Sequence, residues 1–188
     1  MDYITSSVLQ IQNYVQTIIE VTKSVDGYQY RFEKIRTEDV LGDIKKQTLG
    51  LSEVFGLKIN WEEQYISETA NIVYDQVVRA VMNIIKNAAE HTPKGGTINI
   101  CIKEQSGELT LTVEDTGSGF TKEALLHGTE QFFMDDTSRS GGAHYGIGLF
   151  SAKSIAEKHG GRVLLTNSEE TGGAKVEICF LLILCIIL

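Results

Sequence analysis

Apolar positions along this chain switch between a helical and an extended rhythm. Near the N-terminus Ile4, Val8, Ile11, Val15, Ile18 and Val25, with Thr22 in the remaining slot, recur at gaps of four and three. That is heptad spacing, which lays a narrow seam along one helix and asks for a partner helix. Three heptads are short for a free-standing coiled coil, so the predicted partner is another chain or a segment outside this sequence. The competing reading folds an amphipathic helix onto its own domain. Asp26-Gly27 stops this element. Tyr28 to Arg36 reads as a short extended segment. Thr37, followed by Glu38 and Asp39, is the predicted N-cap of a helix striped by Leu41, Ile44, Leu51 and Phe55 and closed by Gly56.

Leu57 to Trp61 is a predicted strand. Asp75 is the predicted cap of a helix whose apolar face is Val77, Val81, Ile84, Ile85 and Ala88. Two runs with period two follow, Ile98, Ile100, Ile102 and Leu109, Leu111, Val113, with Gly107 between them as a hairpin requires. Thr121 opens a short helix. His127 to Tyr145 is rich in Gly, Ser, Thr and Asp without periodicity and is expected to be a mobile loop. Phe132, Phe133 and Met134 are its few apolar anchors. Ile147 to His159 reads as a helix ending at Gly160-Gly161. Arg162 to Thr166 and Lys175 to Phe180 form a last hairpin around residues 169–173. Strands grouped in hairpins, with helices to cover one face, predict an α+β fold, a two-layer sandwich rather than a doubly wound sheet.

The last eleven residues, Ile178 to Leu188, are wholly apolar, too short a run to span a bilayer, which needs about 20. Val176, Ile178 and Phe180 alternate with Glu177 and Cys179 as a final buried strand. Leu181 to Leu188 matches no element pattern. A chain of 188 residues with 42% apolar content holds one sizeable domain, or one domain with an appendage. Its net charge of −8 argues against a nucleic-acid partner. Cys101, Cys179 and Cys185 are odd in number and fit no metal-ligand spacing, which points to a reducing, intracellular compartment. Met1-Asp-Tyr-Ile is no signal peptide.

Three short segments carry chemistry. Asn83, Asn87 and His91 stand at i, i+4 and i+8, on one face of a predicted helix. The Asn87 side-chain carbonyl suits Mg²⁺, which keeps several waters and is shared with substrate phosphates. Asp115 ends a predicted buried strand and precedes Thr-Gly117-Ser-Gly119. A carboxylate there can accept a hydrogen bond from the exocyclic amine of adenine, and the two glycines let the backbone turn and approach a base; taken alone, the segment also reads as an ordinary Asp-Gly turn. Gly141, Gly142, Gly146 and Gly148 come before a helix, where backbone N–H groups and the helix dipole favour an anion. Arg139 and Lys153 are candidates for added positive charge. Without Gly-Lys-Ser/Thr, this is no Walker loop.

In this order the segments resemble the N, G1 and G2 boxes of the GHKL superfamily of ATP-binding domains, in particular the catalytic domain of bacterial sensor histidine kinases. The likeness runs from about Ile4 to Phe180. It implies the Bergerat ATP-binding fold: a two-layer α/β sandwich with a mixed sheet and helices on one face, preceded by one long N-terminal helix. It implies ATP and Mg²⁺ as ligands. By the same resemblance Asn87 is the metal ligand and Asn83 assists near the phosphates. His91 stands where an aromatic ring often lies against adenine, and Asp115, Gly117 and Gly119 form the adenine box. Gly141, Gly142, Gly146, Gly148 and Leu149 belong to the phosphate box. Phe132-Phe133 resembles the F box of the loop that folds over ATP. ATP-hydrolysing relatives commonly carry Glu at the position of Asn83 as base for the attacking water. Asparagine takes no proton, which fits transfer to a side chain instead. Glu90 stands where relatives often have Lys, which puts one phosphate contact in doubt.

The resemblance divides the chain into residues 1–27, the second helix of a dimerisation and phosphoacceptor hairpin, and residues 28–188, the catalytic domain. None of His91, His127, His144 and His159 lies in the N-terminal helix, so the phosphoacceptor histidine is expected upstream. The fragment alone is expected to bind ATP without autophosphorylating. A homodimer through the N-terminal helix, a response regulator as partner, a cytoplasmic location and membrane attachment only through upstream segments follow as expectations. Two alternatives stand beside this: a GHKL protein-serine kinase of anti-sigma-factor type, and a non-catalytic nucleotide-binding dimer scaffold.

Overall fold

A computed structural model of the chain describes residues 31–133 and 146–182. The heptad helix Ile4–Val25, the boundary at residue 27, most of the loop expected to be mobile and the tail from Ile183 lie outside the described residues. The elements run β1 (Glu33–Arg36), α1 (Thr37–Phe55), β2 (Lys58–Gln64), β3 (Thr69–Ile72) and α2 (Tyr74–His91). There follow β4 (Thr97–Gln105), β5 (Glu108–Asp115), α3 (Lys122–His127), α4 (Gly148–Lys158), β6 (Arg162–Asn167) and β7 (Ala174–Leu181).

The main sheet has the order β2-β4-β5-β7-β6. β2 runs parallel to β4 and every other neighbour is antiparallel, so the sheet is mixed. Alternation decides its two faces. Ile98, Ile100 and Ile102 of β4, Leu109, Leu111 and Val113 of β5, and Val176, Ile178 and Phe180 of β7 are all buried. They form one core with Val40, Leu41 and Ile44 of α1, Val81, Ile84 and Ile85 of α2 and Ala152, Ile155 and Ala156 of α4. The helices thus cover one face, as the two-layer expectation required. Ser106 and Gly107 join β4 to β5 with φ of 54° and 78°, the pair of positive values a two-residue type I′ hairpin turn needs.

Two predicted caps are corrected. Thr37 is the first helical residue of α1, and Arg36 is its N-cap. The Thr37 hydroxyl donates to the Ser67 carbonyl at 2.7 Å and its N–H to the Glu68 carbonyl at 2.9 Å, so a tertiary contact uses the group that would have capped. Asp75 lies inside α2, whose N-cap is Val73. The Val73 N–H donates across the fold to Nε2 of His159 at 3.1 Å. β3 has no counterpart in the sequence pattern. It is four residues long and exists by pairing antiparallel with β1, Glu33 opposite Ile72. The Thr121 cap is present, with its side chain accepting from the Ala124 N–H at 3.1 Å.

Candidate functional site

Period two in β5 decides where Asp115 points. After Leu109, Leu111 and Val113, the next inward position holds a carboxylate instead of an aliphatic side chain, and Asp115 is 2% exposed. Its Oδ1 accepts from the N–H groups of Gly117 at 2.8 Å and Ala174 at 3.1 Å. No hydrogen bond reaches Oδ2 among the described residues. Burial pushes the Asp115 carboxyl above its usual range, against the two N–H donors and the nearby His91, which pull it down.

α2 carries the asparagine row. Its apolar stripe is buried, Asn83 and Asn87 are half-buried and His91 is exposed. Neither asparagine amide is hydrogen-bonded among the described residues, so both side chains are available to a ligand. The row runs between the other two boxes. A Cβ placed on Gly148 would meet the Cβ of Asn83 at 3.9 Å, which sets the first turn of α4 beside the start of the row. At the other end, a Cβ on Gly117 would lie 2.5 Å from the His91 carbonyl oxygen.

α4 begins at Gly148 after Ile147 and has no side-chain cap hydrogen bond, leaving its first N–H groups for an outside acceptor. Leu149 packs half-buried against the core. Gly146 has φ 64°, and a Cβ on it would fall 1.9 Å from the Phe133 carbonyl. Its own carbonyl accepts from the Phe132 N–H at 3.2 Å. The two phenylalanines therefore join the phosphate box, with Phe132 59% exposed. Arg139, Gly141 and Gly142 lie outside the described residues.

The two adenine-box glycines answer different needs. Gly119 has the expected positive φ, 74°, whereas Gly117 is not among the residues with positive φ. Gly117 is small because the end of α2 crowds it. Sequence reasoning placed the β6–β7 hairpin but missed its part in the site: its Asn167, Thr171, Gly173 and Ala174 hold the Asp115 segment. The only outward signal of that part was the Thr171-Gly-Gly turn. A groove of 670 Å³ between α1 and α2, with Leu51, Val54, Val78 and Met82 in its walls, reaches Asn83 alone among the candidates. Among the described residues no three His, Cys, Asp or Glu side chains cluster as metal ligands, and Mg²⁺ shared with phosphates requires no such cluster. No helix among them is long and apolar enough to cross a membrane.

Residues 72–183 match the model of the histidine kinase-, DNA gyrase B-, and HSP90-like ATPase family. The sensor histidine kinase SpaK of Bacillus subtilis is 32% identical over 176 residues, covering 94% of this chain and 38% of that protein. The nisin biosynthesis sensor protein NisK of Lactococcus lactis subsp. lactis is 31% identical over 183 residues, covering 93% of this chain and 40% of its own length. The chain thus spans about two fifths of these relatives. The fold matches that of the mycobacterial sensor histidine kinase MprB with a TM-score of 0.67 at 20% identity, over 79% of this chain and 97% of that one. These likenesses do not favour the serine-kinase or scaffold alternatives. The chain belongs to the histidine kinase-, DNA gyrase B- and HSP90-like ATPase family, as an ATP-binding catalytic domain of the two-component sensor histidine kinase type.

Proposed function

We propose that the whole protein transfers the γ-phosphoryl group of ATP to a histidine carried upstream of this sequence, and from there to a response regulator. Residues 28–188 act as the catalytic domain and residues 1–27 as one helix of the dimerising hairpin, on the cytoplasmic side of a membrane-bound sensor. The observation that carries the reading is the line from buried Asp115, with Oδ2 unspent, along Asn87 and Asn83 to the uncapped start of α4.

In this reading Oδ2 of Asp115 accepts from the exocyclic amine of adenine. Guanine presents a carbonyl oxygen at that position, and two acceptors facing each other repel. His91 borders the base, and Gly117 and Gly119 shape the loop beneath it. The N–H groups at Gly148 and Leu149 hold phosphate oxygens, joined by Gly141, Gly142, Gly146 and Arg139, with Phe132 at the loop that covers the nucleotide. The Asn87 side-chain oxygen is the protein's ligand for Mg²⁺, and its half-buried amide, without a hydrogen bond among the described residues, suits that role. Bound there, Mg²⁺ supplies charge neutralisation to the β- and γ-phosphates. Asn83 orients the phosphates beside α4 and cannot act as a base toward water, which favours a side-chain acceptor.

Calorimetric titration with a non-hydrolysable ATP analogue tests this. The expected result is binding that strengthens with Mg²⁺ in the wild type and loses that dependence in Asn87→Ala. A folded wild-type chain with no affinity for the analogue would sink the proposal. So would phosphate appearing on serine rather than on histidine in the full-length protein.

A further inference from the structure

The adenine end of the site rests on a hairpin that belongs to none of the three motif segments. Asn167, the last residue of β6, makes two hydrogen bonds to a single distant residue. Its Oδ1 accepts from the Phe120 N–H at 2.7 Å, and its Nδ2 donates to the Phe120 carbonyl at 2.9 Å. An amide that satisfies both backbone groups of one residue fixes its position and its orientation. Four residues later the Thr171 hydroxyl donates to the Asp115 carbonyl at 2.9 Å and accepts from the Gly173 N–H at 3.1 Å. Glu114 lies farther from that hydroxyl, at 3.4 Å. Ser168 stiffens the turn: its hydroxyl donates to Glu114 at 2.7 Å and accepts from the N–H groups of Glu170 and Thr171 at 3.2 and 3.1 Å.

The contact surface is closed to extra atoms. A Cβ on Gly119 would lie 2.7 Å from the Gly172 carbonyl and 3.0 Å from Oδ1 of Asn167, and one on Gly173 would lie 1.9 Å from the Asp115 carbonyl. One hairpin therefore grips the segment Asp115–Phe120 at both ends. The Ala174 N–H that holds Oδ1 of Asp115 comes from the same hairpin. The direction of Oδ2 is thus set jointly by the neighbouring Gly117 N–H and by residues more than fifty positions later in the chain.

We propose that Asn167 and Thr171 are positioning residues for adenine recognition, acting through Phe120 and Asp115 to aim the free carboxylate oxygen. The proposal rests on the nucleotide-binding reading above and adds to it the source of base selectivity. Hydrogen-bond strength falls steeply with misalignment, so a loosened Asp115 loses its grip on the adenine amine and, with it, its rejection of guanine.

The test uses the full chain, titrated with non-hydrolysable ATP and GTP analogues. The variants are Asn167→Ala, Thr171→Val, which keeps the shape without the hydroxyl, and Thr171→Ser, which keeps the hydroxyl. Expected for Asn167→Ala and Thr171→Val is about a tenfold loss of affinity for the ATP analogue, the size of one hydrogen bond, with a narrowed ATP-to-GTP ratio. Thr171→Ser restores both to within about threefold. Wild-type affinity and selectivity in Thr171→Val overturn the proposal, whatever becomes of Asn167→Ala. An equal loss for both analogues assigns the hairpin a merely structural part and overturns it too, as does a Thr171→Val chain that does not fold. A wild type that binds neither analogue removes the nucleotide reading and this inference together. Binding by the wild type with unaltered variants removes this inference alone.

Discussion

The proposed phosphate end and the proposed adenine end of this site are built on different principles. At the phosphate end Asn83 and Asn87 are one helical turn apart in α2, and the first turn of α4 supplies N–H groups by its own geometry. At the adenine end Asp115 and the loop after it are held by Ala174 and Asn167, 59 and 47 residues away from the groups they bind. Within each helix local backbone geometry makes the groups of the first end, and packing of α4 on α2 brings them together; at the second end long-range hydrogen bonds hold the groups themselves. Substitutions in the packed contacts of the adenine end, such as Gly173, therefore strike fold and ligand together, while Gly148 at the phosphate end separates the two.

The largest expected effect tests the packing side. Gly173→Ala puts a Cβ into the Asp115 carbonyl and is expected to cost about 3 kcal/mol of stability, the upper range for overpacking, read by denaturant melts. A variant as stable as wild type would show that the hairpin yields easily. Next comes Asp115→Asn. It keeps an oxygen for the N–H groups of Gly117 and Ala174 but turns a donor toward the adenine amine. The affinity for an ATP analogue is expected to fall on the order of 100-fold, the worth of a hydrogen bond to a charged group. Stability moves the other way. Burial raises the Asp115 carboxyl in the folded state, so ionised Asp115 costs stability above its folded pKa, and that cost is relieved as pH falls through it. The Asn variant is accordingly expected to melt no lower than wild type at neutral pH.

Gly148→Ala sharpens the contrast at the other end. The new Cβ meets nothing closer than 3.9 Å and Ala favours helix, so the melting temperature is expected to hold or rise slightly. Affinity for the analogue is expected to fall by about fivefold as the methyl crowds the phosphate-facing N–H groups. Unchanged affinity would place the phosphates elsewhere along α4.

The smallest effect concerns His159, wholly buried at the meeting of α2 and α4. Nε2 accepts from Val73 and Nδ1 donates to the Ile155 carbonyl at 2.8 Å, so the ring is neutral. Burial first, and then the charge of Lys158, hold its pKa below the ordinary 6.5. The unfolded chain binds the proton more readily. This stabilisation is therefore intact above about pH 6.5 and declines as pH falls from there toward the folded pKa. The held carboxylates Glu104 and Glu108 are lowered from 4.5 and lose their share at more acid pH, in a separate window. His159→Gln is expected to flatten the decline in stability as pH falls below about 6.5. A profile identical to wild type would show that His159 does not titrate there.

Some of this was readable from residue order and some was not. The rows Val77, Val81, Ile84 and Ile98, Ile100, Ile102 announced α2 and β4, and the alternation through Leu111 and Val113 already aimed Asp115 inward. The cap at Thr37 misled because capping residues are recognised by type, and type does not reveal that Ser67 and Glu68 will arrive from elsewhere to claim its hydroxyl and N–H; at Asp75 the helix has already begun, at Tyr74, ahead of the acidic signal. β3 was missed because its alternation, with Ala70 and Ile72 buried, is only four residues long and becomes a strand by pairing with β1.

Among the described residues, the sequence by itself determined the helices, the alternating strands and the kinds of groups proposed for the site, since each depends on spacings within about ten residues. It also placed the chain in its family. Only the tertiary structure decided which oxygen of Asp115 is without a partner among the described residues, why Gly117 and Gly119 must be small, and that the β6–β7 hairpin holds the Asp115–Phe120 segment. Those outcomes are set by close approaches between segments whose separation along the chain leaves no periodic trace.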